Sequence, residues 1–163
     1  QTISSINNNI SGAATTSSRT FVRIFLNNMR VLVFSILFSF IYGVGAIFIL
    51  TWNASVIAAA IGNVIRNQLA KTVEAAGLAQ AGSYFHAFSF GFLRYALHGI
   101  PEVLAYFIGG LAGGIISMAI IKHDVLNNNR ERIIFDAAEL VIIAIGVLVL
   151  AGLIEVYVTP VLF

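Results

Sequence analysis

The sequence predicts an all-α fold, a polytopic transmembrane helix bundle with three long spanning helices and two short re-entrant or half-spanning helices. Three observations carry that reading. Hydrophobic residues make up 59% of the chain and charged ones 10%, against about a quarter charged in soluble domains. The mean hydropathy is +0.94. Three apolar runs, at 31–50, 102–121 and 133–158, each reach the roughly 20 residues that cross a hydrocarbon core of ~30 Å.

The elements are taken in chain order. Residues 1–18 are rich in Ser, Thr and Asn, lack the apolar surface to fold alone, and read as a flexible polar tail; residues 19–163 read as a single transmembrane helical domain. Over 20–28, Phe21, Ile24 and Phe25 set against Arg23, Asn27 and Asn28 predict an amphipathic helix start at the membrane surface. The run 31–50 is the first spanning helix, and Thr51-Trp52-Asn53 reads as an interfacial turn with Asn53 capping the next helix. The apolar stretch 54–65 supplies only ~18 Å of helix, too little to cross, and so reads as half-spanning. The aromatic stretch 83–97 is the second short piece. Gly99 and Pro101 then predict a helix break, because proline removes a donor and disfavours helical geometry in the residue before it. The runs 102–121 and 133–158 complete the bundle.

Charge supplies topology rather than a partner. A net charge of +2 gives no footprint for nucleic acid, so the expected surroundings are the lipid bilayer and, as a homo-oligomer or with other membrane-protein subunits, protein neighbours. Positive residues cluster at Arg19, Arg23 and Arg30 and again at Lys122, Arg130 and Arg132. The positive-inside rule puts both clusters in the cytoplasm of a multi-pass cell-membrane protein, with an even number of crossings between them, a cytoplasmic N-terminus and the C-terminus outside. Cysteine is absent, which removes disulfides, thiolate nucleophiles and thiolate metal sites. Three scattered histidines, at 86, 98 and 123, form no metal-ligand pattern, and no phosphate loop or nucleophile motif is present, so neither a metal, a cofactor nor a catalytic residue is expected.

The chemistry that the sequence does carry lies at the expected break. Arg94, His98 and Glu102 recur at i, i+4 and i+8, one stripe if the helix direction is kept. A carboxylate at that depth costs roughly 2.5 kcal/mol or more, and so should face protein or trapped water. Glu155, in the last run, is the candidate neighbour, whereas Glu139 lies about 24 Å away from it along the helix and cannot share its site. Two readings stand: a polar site for a proton, cation or anionic head group, or an internal salt bridge and cap that stabilises a kink. Gly109 with Gly113, and Gly110 with Gly114, are overlapping small-residue pairs that admit close helix contact, within the chain or at a homodimer seam. Ser35, Ser39 and Gly43 make a small face on the first helix, read as a packing seam.

Phe25-Leu-Asn27-Asn28, Leu50-Thr-Trp52-Asn53, His98-Gly99-Ile-Pro101-Glu102 and Ile154-Glu155-Val-Tyr-Val-Thr159-Pro160, in this order across most of the chain, resemble the stage II sporulation protein M family. The resemblance implies an integral membrane protein with about five membrane segments, of a family widespread in bacteria and archaea. Its sporulation namesake is a scaffold for peptidoglycan hydrolases during engulfment, without known catalysis. By position, His98, Gly99, Glu102, Glu155 and Pro160 match its characteristic polar and kink residues. The expected function is therefore a non-enzymatic scaffold or assembly subunit in a membrane complex. The alternative is a transporter or channel-like protein that uses Arg94, His98, Glu102 and Glu155.

Overall fold

A computed structural model of the chain describes residues 2–43, 45–70, 78–121 and 130–162. All four stretches are helical: α1 (Thr2–Tyr42), α2 (Ala46–Ala70), α3 (Leu78–Ile121) and α4 (Arg130–Leu153), the last continuing through a π turn (Ile154–Val158) into α5 (Thr159–Leu162). Four helices are long and apolar enough to cross a membrane. Residues 2–18, expected as a tail, are the leading turns of α1.

The count of three long and two short helices, and the five segments implied by the resemblance, give way to four long helices. Thr51-Trp52-Asn53 is no turn; it lies inside α2, where Ser55 Oγ donates to the Trp52 carbonyl at 2.6 Å. The expected break at Gly99 and Pro101 is absent too, since α3 runs 44 residues with Pro101 inside it. The physical reason is the same in both places. Inside a bilayer every broken backbone hydrogen bond goes uncompensated, so a helix that loses one N–H at a proline still costs less than an interrupted chain. At 1.5 Å per residue α3 is about 66 Å long, roughly twice the thickness of a hydrocarbon core.

Side-chain pairs fix the directions. Asn28 meets Glu102, Leu32 and Ile36 face Gly109, and Ser39 faces Gly114, so α1 and α3 run parallel. Ala46 lies against Gly110, Ile57 against Gly99 and Ile61 against Gly91, so α2 runs antiparallel to α3. Phe21 packs on Gly152, and Leu32 shares a cluster with Ala105, Tyr106, Ala144 and Leu148, which sets α4 antiparallel to α1. The α1–α2 turn is built on Gly43, at φ 69°, a left-handed conformation that glycine adopts without a Cβ clash. Ser39 Oγ donates to the Gly43 carbonyl at 2.8 Å, and α2 opens with Phe48 N–H bonding to the Gly45 carbonyl at 3.1 Å.

This path corrects the expected topology. The arginines of α1 and the start of α4 sit at opposite ends of the bundle, with three long helices between them instead of an even number. The end of α4 returns to the end of the bundle that holds Phe21, so the first and last helices meet there and do not finish on opposite sides. The difference arises because the short piece at 54–65 is the middle of the full-length α2, whereas that at 83–97 joins 102–121 in α3 and adds no crossing of its own. Lys71, Lys122, His123 and Asp124 lie outside the described residues.

Candidate functional site: a polar cluster between three helices

The core around α3 is made by small residues. Gly109 and Gly113 face α1, with Gly113 set against the backbone of Ile36 and Phe40. Gly110 turns to α2, where an added Cβ would come within 2.7 Å of that of Ala46, and Gly114 turns to Ser39 and the Gly43 carbonyl. Both small-residue pairs are thus taken up inside the chain. Ser35 and Ser39 are buried on the facing side of α1.

One turn before this seam the same face of α3 becomes polar. His98, Glu102 and Tyr106 recur every four residues, and all three are buried, Tyr106 completely. From α1, Asn28 Nδ2 donates a hydrogen bond to Glu102 Oε1, and Asn28 is itself buried. Glu155 comes from the π turn, close enough to Glu102 for the two carboxyls to interact through space. Tyr106 lies within electrostatic reach of both. His98 packs against Tyr95 with ring centroids 6.0 Å apart.

The π turn places Glu155. Thr159 N–H closes on the Ile154 carbonyl, five residues back, and Thr159 Oγ1 donates to the same oxygen at 3.2 Å. The widened turn thereby bypasses the Glu155 carbonyl, and Pro160, without an N–H, cannot replace the donor. Such single π turns recur at functional sites.

Of the four predicted polar residues, Glu102 and Glu155 interact through space, and His98 is buried one turn before Glu102 on the same helix. Arg94 is not among them: it faces outward, and the partner of Glu102 is Asn28. Arg94 still acts on His98 electrostatically. Asp136 and Glu139 face outward on α4. Sequence reasoning missed Asn28 and Tyr106 as members. The spacing of Asn28, Leu32, Ser35 and Ser39, all buried, marks the inner stripe of α1, and Tyr106 extends the His98–Glu102 interval by one more turn.

The buried Tyr106 Oη, His98 Nδ1 and Ser35 Oγ have no hydrogen-bond partner among the described residues. Nor do the described residues place three or more His, Cys, Asp or Glu side chains where they could hold a metal ion. The cluster therefore offers two carboxyls, an amide and a phenol, groups that hold protons and hard cations.

A bundle of four long apolar helices enclosing ionisable side chains defines a multi-pass membrane protein. The chain belongs to the family described as Stage II sporulation protein M (SpoIIM), whose model matches residues 2–160. Comparisons with curated proteins and with solved structures give no match.

Proposed function

We propose that the protein is a non-enzymatic scaffold or assembly subunit of a complex in the cell membrane. The observation that supports this is the arm formed by α2 and residues 81–97 of α3. Among the described residues, Ala46 is the only buried one of α2, and within 81–97 only Ala87 and Gly91 are buried, with α2 covering Gly91. Tyr84, Phe85, Phe88 and Phe92 face outward, with Phe85 75% exposed, and Phe88 and Phe92 stack at 6.2 Å. Arg94 faces outward from the same stretch, and an arginine on an apolar helix calls for an acidic neighbour or a head group. Because the glycine pairs are occupied internally, a partner or second copy would seat on this arm. We assign the end of the bundle that carries Arg19, Arg23, Arg30 and, near the end of α2, Arg66 to the cytoplasm, because among the described residues it holds more positive charge than the end with Arg130 and Arg132.

A photo-crosslinking amino acid in place of Phe85 or Phe88, activated in native membranes, is expected to give discrete protein adducts, and one in place of the buried Leu32 none. Adducts to lipid alone at positions 85 and 88 would reject the assembly role. Transport is the second reading, favoured by the approach of Glu102 to Glu155. It predicts that Glu102→Gln abolishes solute or proton flux in vesicles while leaving crosslinking at position 85 unchanged.

A further inference from the structure

We propose that Asn28, Glu102, Tyr106 and Glu155 bind a small monovalent cation of the sodium class between α1, α3 and the π turn. The site requires no transport activity, since a structural ion and a transported one meet the same ligands. It is likewise independent of the identity of any neighbour on the α2–α3 arm.

The buried Glu102 and the half-buried Glu155 interact through space, and among the described residues no Lys or Arg side chain is buried. The groups that reach them are Asn28 from α1 and Tyr106 from α3; His98 lies one turn before Glu102 beside Tyr95, and Arg94 faces outward. Carboxyl groups in so dry a setting take up either a proton or a counter-charge. The hydrogen bond from Asn28 satisfies one oxygen of Glu102 and brings no charge.

An independent observation points to a ligand. Tyr106 is 0% exposed, its hydroxyl has no partner among the described residues, and it lies within reach of both carboxyls. A buried hydroxyl in an acidic cluster, bonded to none of those residues, is an available oxygen ligand. The Asn28 carbonyl oxygen is another, because its amide nitrogen makes the bond to Glu102. The Glu155 backbone carbonyl, bypassed by Thr159 and left by Pro160, is a third. An unwound or widened helix that lends a carbonyl to a cation is a recurrent arrangement at membrane depth.

Ligand type and number select the ion. Every donor is a hard oxygen, which disfavours zinc, copper and other borderline or soft metals. Magnesium gives up its water reluctantly on entering a dry interior, and calcium, which takes roughly 6–8 oxygens, would need both carboxyls ionised. A monovalent ion with one carboxyl protonated leaves the site neutral.

The test uses the purified full chain in detergent. Thermal unfolding is followed in sodium, lithium, potassium, calcium and choline chlorides at equal ionic strength and pH. Sodium is expected to raise Tm saturably over choline, and above potassium and calcium, as a ligand of the folded state does. Tyr106→Phe and Glu155→Gln should fold in choline and lose on the order of 10–100-fold in apparent sodium affinity. Gly62→Ala, remote from the cluster, should keep it. Broadening of the sodium NMR line by the wild-type chain, displaced by lithium, supplies a reading that needs no variant. Equal Tm in sodium and choline, stabilisation led by calcium, or a response to pH without cation preference, as a shared proton gives, would each overturn the proposal.

Discussion

The two halves of α3 are equally helical and similarly apolar, yet they meet different fates. From His98 onward the helix sits among α1, α2 and α4, with Ala105, Tyr106, Gly109, Gly110, Ala112 and Gly113 all buried. Over 81–97 it touches α2 along one side and presents aromatic rings on the others. Their share of apolar residues does not separate them. In lipid, apolar area gives no preference for a neighbouring helix over an acyl chain, so close backbone approach decides which face is packed. Small residues grant that approach, and the second half has them. The difference also governs charge: Glu102 lies where helices converge and finds Asn28, whereas Arg94, two turns earlier, lies where they do not.

The sharpest way to break this contrast is Gly113→Ala. The added Cβ would press on the carbonyl of Ile36 and come within 3.1 Å of Phe40 N, and neither is a side-chain end that can swing aside. The α1–α3 spacing must widen, which predicts a loss at or above the upper end of the usual ~1–3 kcal/mol for overpacking. Gly109→Ala meets only the Leu32 side chain first, and should cost less. Reversible unfolding in mixed micelles measures both. If Gly113→Ala costs no more than a glycine substitution in the arm, close approach is not what holds α3 to α1.

A smaller effect separates two adjacent asparagines. Asn28→Ala removes the hydrogen bond to Glu102 and leaves a buried carboxyl group unsatisfied, a penalty of about 1–3 kcal/mol. Asn27→Ala, on the outward face, should stay within about 0.5 kcal/mol of wild type. The same micelle unfolding assay reads the pair, and equal losses would show that Asn28 does not support Glu102.

Those asparagines also show why the sequence is legible only in part. Glu102 and Glu155 stand out because carboxylates inside apolar runs are rare, and the membrane class is plain from composition. Asn28 does not stand out, since beside Asn27, Arg23 and Arg30 it looks like one more polar residue on a surface helix. One residue is a rotation of about 100° on a helix, enough to turn Asn28 inward while Asn27 stays out. Helix ends mislead for a related reason. Trp52-Asn53 and Gly99-Ile-Pro101 punctuate helices in water, where the solvent satisfies a freed amide, but that remedy is missing where no water reaches the backbone. The π turn at Glu155 carries a signal only in Pro160, which specifies a missing donor without saying how the turn before it responds.

The smallest expected effects lie in the arm, and they bear most directly on its surroundings. A Cβ added at Gly62 or Gly82 meets nothing within 4 Å among the described residues. Alanine at either site should leave stability in detergent unchanged or raise it by up to ~1 kcal/mol through helix propensity. The informative step is to repeat the measurement in native membranes. Lipid chains rearrange around one methyl group, so an arm bathed in lipid keeps the neutral result. A packed protein neighbour cannot, and on that account Gly82→Ala would weaken recovery of the complex while leaving the isolated chain intact. A neutral result in both settings would leave the arm facing lipid at Gly82 and move any protein contact to the aromatic face of Phe85 and Phe88.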